Sequence, residues 1–225
     1  MVRVLSWQPM AFSSNIYDLL KQDHRARDIE WQYAFFHALT QSKLKILKDE
    51  PVPGPDGWPY LLAEISEEGT EPAVKVLGWL SDKGIGLVIN PGEETADYVF
   101  SYGMIWNFRE RGEFLTTMNE KVQNLAVNIE ANQKVHAGPP NDKYLPEYAR
   151  LILKSFFKDN GISGMKVLVM SQDQKHYDLC FSLEALGNPD SKEHKGILEA
   201  LSWFLPAHYS LMLISEKGLP AFSVL

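Results

Sequence analysis

Apolar positions along the chain repeat either every three to four residues or every second residue, and the changes of period lay out the elements. Asn15 to Gln22 predicts a short helix with Ile16, Leu19 and Leu20 on one side. Asp28 then suits an N-cap, because its carboxylate can accept from backbone N–H groups left unpaired in a first turn. From Ile29 to Gln41 the residues Trp31, Phe35, Ala38 and Leu39 recur at helical spacing. Leu44 and Ile46 alternate with lysines and predict a strand. Pro51 to Gly57 is a turn by composition, and Tyr60 to Ile65 a second strand. Pro72 and Gly84 bracket a helix holding Val76, Leu77 and Leu80. Gly86 to Asn90 is a short apolar strand closed by Asn90-Pro91-Gly92, with Gly92 expected at positive φ. Tyr98 to Phe108 mixes aromatic and β-branched residues and predicts strand. Arg109 to Gln133 combines helical and extended features.

The densest breaker cluster runs from Ala137 to Asp142. Beyond it, Leu145 to Asn160 predicts a helix with Tyr148, Leu151, Ile152, Leu153 and Phe156 inward and Gly161 as its stop. Met165 to Met170 is apolar on both faces and belongs in the middle of a sheet. Tyr177 to Leu183 alternates, which puts Tyr177, Leu179, Phe181 and Leu183 on a buried face. A helix follows over Ser191 to Leu205, then strands over Tyr209 to Ile214 and Leu219 to Leu225. No repeat shows in the sequence. The pattern predicts an α+β chain of two small modules, each with a mixed or antiparallel sheet and helices packed on one side. Residues 1–26 form an extension, 27–130 the first module, 131–144 a linker, and 145–225 a second module of order α-β-β-α-β-β.

Composition narrows the function classes. The 225 residues carry a net charge of −7 and are 45% hydrophobic, enough apolar side chain for a core. With a sequence pI near 5.4, the chain repels phosphate on average, which argues against nucleic acid and against an anionic membrane surface. One cysteine, Cys180, allows no intrachain disulfide and fits a reducing, cytoplasmic setting. The N-terminus lacks a cationic start followed by a long apolar core, and no window approaches the roughly 18 apolar residues of a span.

Few constellations suggest chemistry. His176, Asp178 and Cys180 share one strand face, but the opposite face is the apolar one, so they read as the more polar side of a half-buried strand. The six histidines include no His-Glu-x-x-His pair, and one cysteine excludes thiolate-rich zinc sites. His37 reads as a core-edge residue of its helix. Gly84 and Gly86 precede a strand, whereas a phosphate-binding fingerprint follows one. No metal or cofactor is expected. Two binding candidates remain: the turn at Asn90 and Gly92, placed to present side chains at a strand end, and the aromatic–arginine group of Trp106, Phe108, Arg109 and Arg111, a composition enriched in interfaces. If Trp106 and Phe108 are core, that group is an ordinary strand end.

Three stretches carry a family resemblance: a helix leading into Lys43 to Lys48 with the Gly57-Trp58-Pro59 segment behind it; Gly86-Leu-Val-Ile-Asn-Pro-Gly92; and Lys134 to Glu147 followed by the second module. In these, residues 27–225 resemble the SseB (enhanced serine sensitivity) family. The chain departs from the family's aromatic ending at Gly218-Leu-Pro-Ala-Phe222 and carries extra polar sequence between Arg109 and Gln133. The resemblance implies a cytoplasmic, non-catalytic protein, sometimes associated with secretion systems or regulation, and supplies no catalytic residues. The expectation is therefore a protein-binding or adaptor protein, possible as a homodimer, linked to secretion or immunity. The alternative is a small-molecule binder or an enzyme with its site in the inter-domain cleft.

Overall fold

The computed structural model describes residues 15–92, 95–116 and 135–225. The first module contains α1 (Ile16–Leu20), a 3-10 turn at His24–Ala26, α2 (Ile29–Thr40), β1 (Lys43–Ile46), β2 (Val52–Pro53), β3 (Pro59–Ile65), β4 (Glu71–Pro72), α3 (Ala73–Ser81), β5 (Gly86–Pro91), β6 (Ala96–Phe100) and α4 (Tyr102–Arg111). The second contains β7 (His136–Gly138), α5 (Glu147–Asp159), β8 (Lys166–Ser171), β9 (Asp178–Ser182), α6 (Ser191–Phe204), β10 (Ser210–Ile214) and β11 (Ser223–Val224).

Both sheets are mixed, so the α+β reading holds. The first runs β4-β1-β3-β5-β6 with β2 on β3, and the second runs β10-β9-β8-β11 with β7 on β8. In each, one pair is parallel, β3 with β5 and β9 with β10. The cause is connectivity: α3 and α6 are crossover helices, and a parallel neighbour requires such a crossover. The succession α2-β1-β3-α3-β5 therefore matches α5-β8-β9-α6-β10 in order and in strand sense. The fold repeats where the sequence shows no repeat.

Local signals account for much of this. The Asp28 carboxylate accepts from Trp31 N at 2.9 Å and starts α2, whose Trp31, Phe35 and Leu39 are buried. In β3 and β5, Leu61, Ala63, Ile65, Leu87 and Ile89 join the first core with α2 and α3. The alternate residues Tyr60, Leu62 and Val88 point the other way, into a second cluster with Leu153, Phe157, Leu201, Trp203 and Phe204. Because Val167, Leu179 and Phe181 of the second sheet belong to that same cluster, α5 and α6 form a layer between the two sheets. The modules thus share a core.

Four expectations need correction. The strand predicted over Tyr98 to Phe108 stops at Phe100. Ser101 Oγ accepts from Met104 N at 3.4 Å and opens α4, which Gly112 closes at φ 73°; Tyr102, Ile105 and Trp106 then form its buried stripe. The positive φ of the β5–β6 turn belongs to Asn90, at 49°, and not to Gly92. Within α5, Leu151 is 60% exposed while Leu153 is fully buried, which rotates the inner face from that predicted. Residues 136–138, read as linker, pair with β8.

Candidate functional site

The turn at the end of β5 is a structural joint. Asn90 Oδ1 accepts from Ile65 N at 2.8 Å and Nδ2 donates to Asp97 Oδ2 at 2.9 Å. Asp97 in turn receives Arg27 Nη2 at 2.7 Å, and the Arg27 side chain, 7% exposed, also reaches Leu20 O and Asp97 O. Its guanidinium lies 4.6 Å from the Trp31 ring. Asn90 therefore spends its polar atoms on tying β3, β6 and the α1–α2 connection together. Gly92 N donates to Thr95 O at 3.2 Å, and a Cβ on Gly92 would meet that same carbonyl.

Trp106, Arg109 and Arg111 come together on α4, at the contact between the modules. Trp106 is 1% exposed and meets Tyr209 edge to face at 5.5 Å. Arg109 pairs with Ser81 Oγ at 2.9 Å and with the Asp82 carboxylate, and stacks 4.1 Å over the Tyr148 ring of α5. Tyr148 completes the group by donating to Glu110 Oε1 at 2.7 Å, and burial pushes its hydroxyl up. The aromatic–arginine cluster is thus an interface, but one inside the chain. At its edge lies His208, whose two ring nitrogens are buried and have no hydrogen-bond partner among the described residues. Burial, and next the Arg111 charge, lower its pKa to about 4.

The strand set of His176, Asp178 and Cys180 does not assemble. Cys180 is fully buried, against the expectation of a polar face, because Leu168 and Met170 of β8 flank it in an apolar cluster that Val135, Ala137, Leu219 and Phe222 pack against. Burial pushes its thiol up to about 12, the opposite of an activated nucleophile. His176 Nδ1 instead meets Asp173 Oδ2 at 2.5 Å, and Asp173 also accepts from the backbone N of Lys175 and His176. Those bonds hold its carboxyl far below the usual range and tie the β8–β9 loop. Tyr177, expected inside, is 45% exposed. Among the described residues no group of His, Cys, Asp and Glu is arranged to hold a metal, and no helix is long and apolar enough to cross a membrane.

Two features the sequence reading missed stand out. The first is β10, Ser210-Leu-Met-Leu-Ile214. It is the terminal strand of its sheet, has no partner on its outer side among the described residues, and all five of its residues are half-exposed. Leu211 and Leu213 border the helix-side core, while Met212 and Ile214 lie on the opposite face beside Val135, Ala137, Leu219 and Phe222. Among the described residues no helix packs on that second face. The apolar run was visible, but whether it is an edge depends on strand order. The second is a hollow of about 250 Å³ beside Ile16, Tyr17, Lys43, Ile65, Ser66 and Glu67, where the buried Ser66 hydroxyl has no partner among the described residues. The cleft between the modules, by contrast, is filled: Trp58 and Tyr60 pack on Trp203 at 5.1 and 5.8 Å.

The described geometry therefore offers an uncharged strand edge, beside an apolar face that loop residues Leu219 and Phe222 and no described helix pack against, and a small hollow elsewhere. Comparison of the chain with family models, with curated proteins and with solved structures returns no match.

Proposed function

We propose that this chain is a non-catalytic protein-binding protein of the adaptor or regulatory kind, acting in the cytoplasm, as its SseB-like segments imply; a link to secretion or immunity follows from the same resemblance. The observation that carries the reading is β10. An unpaired edge strand presents a row of free N–H and C=O groups to another chain, and strand addition to such an edge is a common mode of peptide and protein recognition. Met212 and Ile214 of that edge adjoin the partly exposed Leu219 and Phe222, so a bound strand also finds apolar side-chain contact.

The test is a photo-crosslinking amino acid at Met212, with Lys154 on the exposed side of α5 as control. Irradiation of intact cells is expected to give a defined protein adduct at Met212 and none at Lys154. No adduct at either position would overturn the reading.

The hollow supports a second reading, a small-molecule binder. An unpaired buried hydroxyl costs about 1–3 kcal/mol, and a ligand at Ser66 would recover it. Spectra recorded against a library of small polar fragments are expected to shift the Ser66 and Gly69 amides. An unresponsive pair of amides would remove this reading.

A further inference from the structure

We infer that the occupant of the β10 edge is a second copy of this chain, paired antiparallel about a two-fold axis at Met212. The inference rests on the protein-binding reading and names its partner.

The argument is one of self-complementarity. Ser210–Ile214 is apolar on both faces after its first residue and carries no charge. A strand that fits it must be uncharged and apolar on both faces, and must itself have a free edge. Among the described strands, β5 and β8 are apolar on both faces, but each is paired on both sides within its own sheet. Of the other strands at an edge, β6 carries Asp97, which is committed to Arg27, while β2, β4 and β11 have two residues each and β7, His136-Ala-Gly138, has three. β10 meets every condition.

Register follows from the faces. In an antiparallel pair, directly opposed residues project to the same side of the sheet. Centred on Met212, Leu211 opposes Leu213 of the other copy on the helix side, and Met212 opposes Met212 on the opposite side. Ser210 and Ile214 oppose each other on that same side. Each apolar layer therefore continues across the axis. A slip of one residue sets Leu211 against Met212, which belong to opposite faces, and breaks both layers. The two five-stranded sheets would then join into one continuous sheet.

The physical limits also follow. Pairing of one short edge falls below the roughly 1,200 Å² of a standard interface, so the dimer dissociates on dilution. Each copy carries −7, and like net charges repel at long range. With an uncharged contact, added salt screens that repulsion and tightens the dimer, the reverse of an ion-paired interface.

The experiment uses the purified full chain. Sedimentation over a wide concentration range is expected to move the mass from 25.6 kDa toward twice that value, more readily at high salt. Met212→Lys is expected to raise the dissociation constant at least about tenfold, since an edge lysine opposes pairing. Opposed Cα atoms in an antiparallel pair lie about 4.5–5.5 Å apart, within disulfide reach. Met212→Cys is therefore expected to form an interchain disulfide on mild oxidation. Val99→Cys, on the β6 edge and 48% exposed, is the control, and the native Cys180 is buried. A mass that stays at one chain, or crosslinking no faster at Met212 than at Val99, overturns the inference. The outcomes are separable: a monomer whose Met212 probe crosslinks a different protein in cells refutes the second copy and leaves the protein-binding reading standing, whereas a probe that crosslinks nothing refutes both.

Discussion

Trp203 Nε1 donates a 2.8 Å hydrogen bond to the Tyr60 hydroxyl, which itself donates to Asp56 Oδ2 at 2.6 Å. The indole belongs to α6 and the phenol to β3, so this buried bond joins the modules through residues 143 apart in sequence. Tyr60→Phe leaves the indole N–H without its partner and is expected to cost about 1–3 kcal/mol. Trp203→Ala also empties the space against Trp58 and is expected to cost about 3–5 kcal/mol. Denaturant titration followed by tryptophan fluorescence and by far-UV circular dichroism checks this. Both signals are expected to move in one transition, because neither module has a core of its own on the shared side.

The α4 helix approaches the second module through a residue without a side chain. A Cβ on Gly103 would lie 2.0 Å from the carbonyl oxygen of Leu205, a backbone atom with little room to yield. Gly103→Ala is expected to cost at least about 2–3 kcal/mol, by the overpacking argument. Gly196, exposed within α6, has nothing within 4 Å of its built Cβ, so Gly196→Ala is expected to stabilise by about 0.5–1 kcal/mol. Thermal melts of the two variants in parallel give opposite signs.

His208 makes stability depend on acid. Folded His208 titrates at about 4, below the ordinary value near 6.5. As pH falls the unfolded chain takes up the proton first, so stability is complete above about 6.5, declines between there and about 4, and levels below. His208→Phe removes the titration and is expected to flatten that window. Melting temperatures of both proteins at pH 7, 5.5 and 4.5 test it; an unchanged wild-type-to-variant difference across the three would count against the assignment.

The Cys180 thiol is fully buried and raised to about 12, so a thiol reagent has neither access nor thiolate. Labelling of the native chain is expected to run about a hundredfold slower than in denaturant, and to follow opening of the sheet. Fast native labelling would show that the β8–β9 face opens readily.

What the sequence revealed and what it hid divide along a physical line. Asp28 capping α2, and the crossover order α-β-β-α-β-β of the second module, follow from local period and capping, which neighbours in sequence decide. Tyr102 to Phe108 was read as the end of a strand because Tyr, Ile, Trp and Phe favour strands. The Ser101 cap, the Gly112 stop and burial of Tyr102, Ile105 and Trp106 on one stripe overrode that preference. Cys180 was placed on a polar face because its strand alternates, but cover from β8 and from the 219–222 segment is a tertiary fact. Of the proposed binding residues, Trp106 and Arg109 were recognised as interface-like, yet only their packing on Tyr209 and Tyr148 of the second module shows that the interface is internal. The β10 run was read as a strand, and no local signal marks it as an edge. Residues 117–133, most of the stretch read as mixed, lie outside those described.

The layering of two like units has an uneven result. The first sheet is sheathed on both sides, by α2 and α3 and by the helices of its successor, whereas among the described residues the second has helices on one side only. The stack is polar in the sense that a column of cups is: each unit's helices close the one before it, and the last is backed by loop residues such as Leu219 and Phe222 instead of by a described helix. Cutting the chain between residues 116 and 135 would bare Tyr60, Leu62 and Val88 on one fragment and the backs of α5 and α6 on the other, so the two halves are expected to survive only as a reassembled pair.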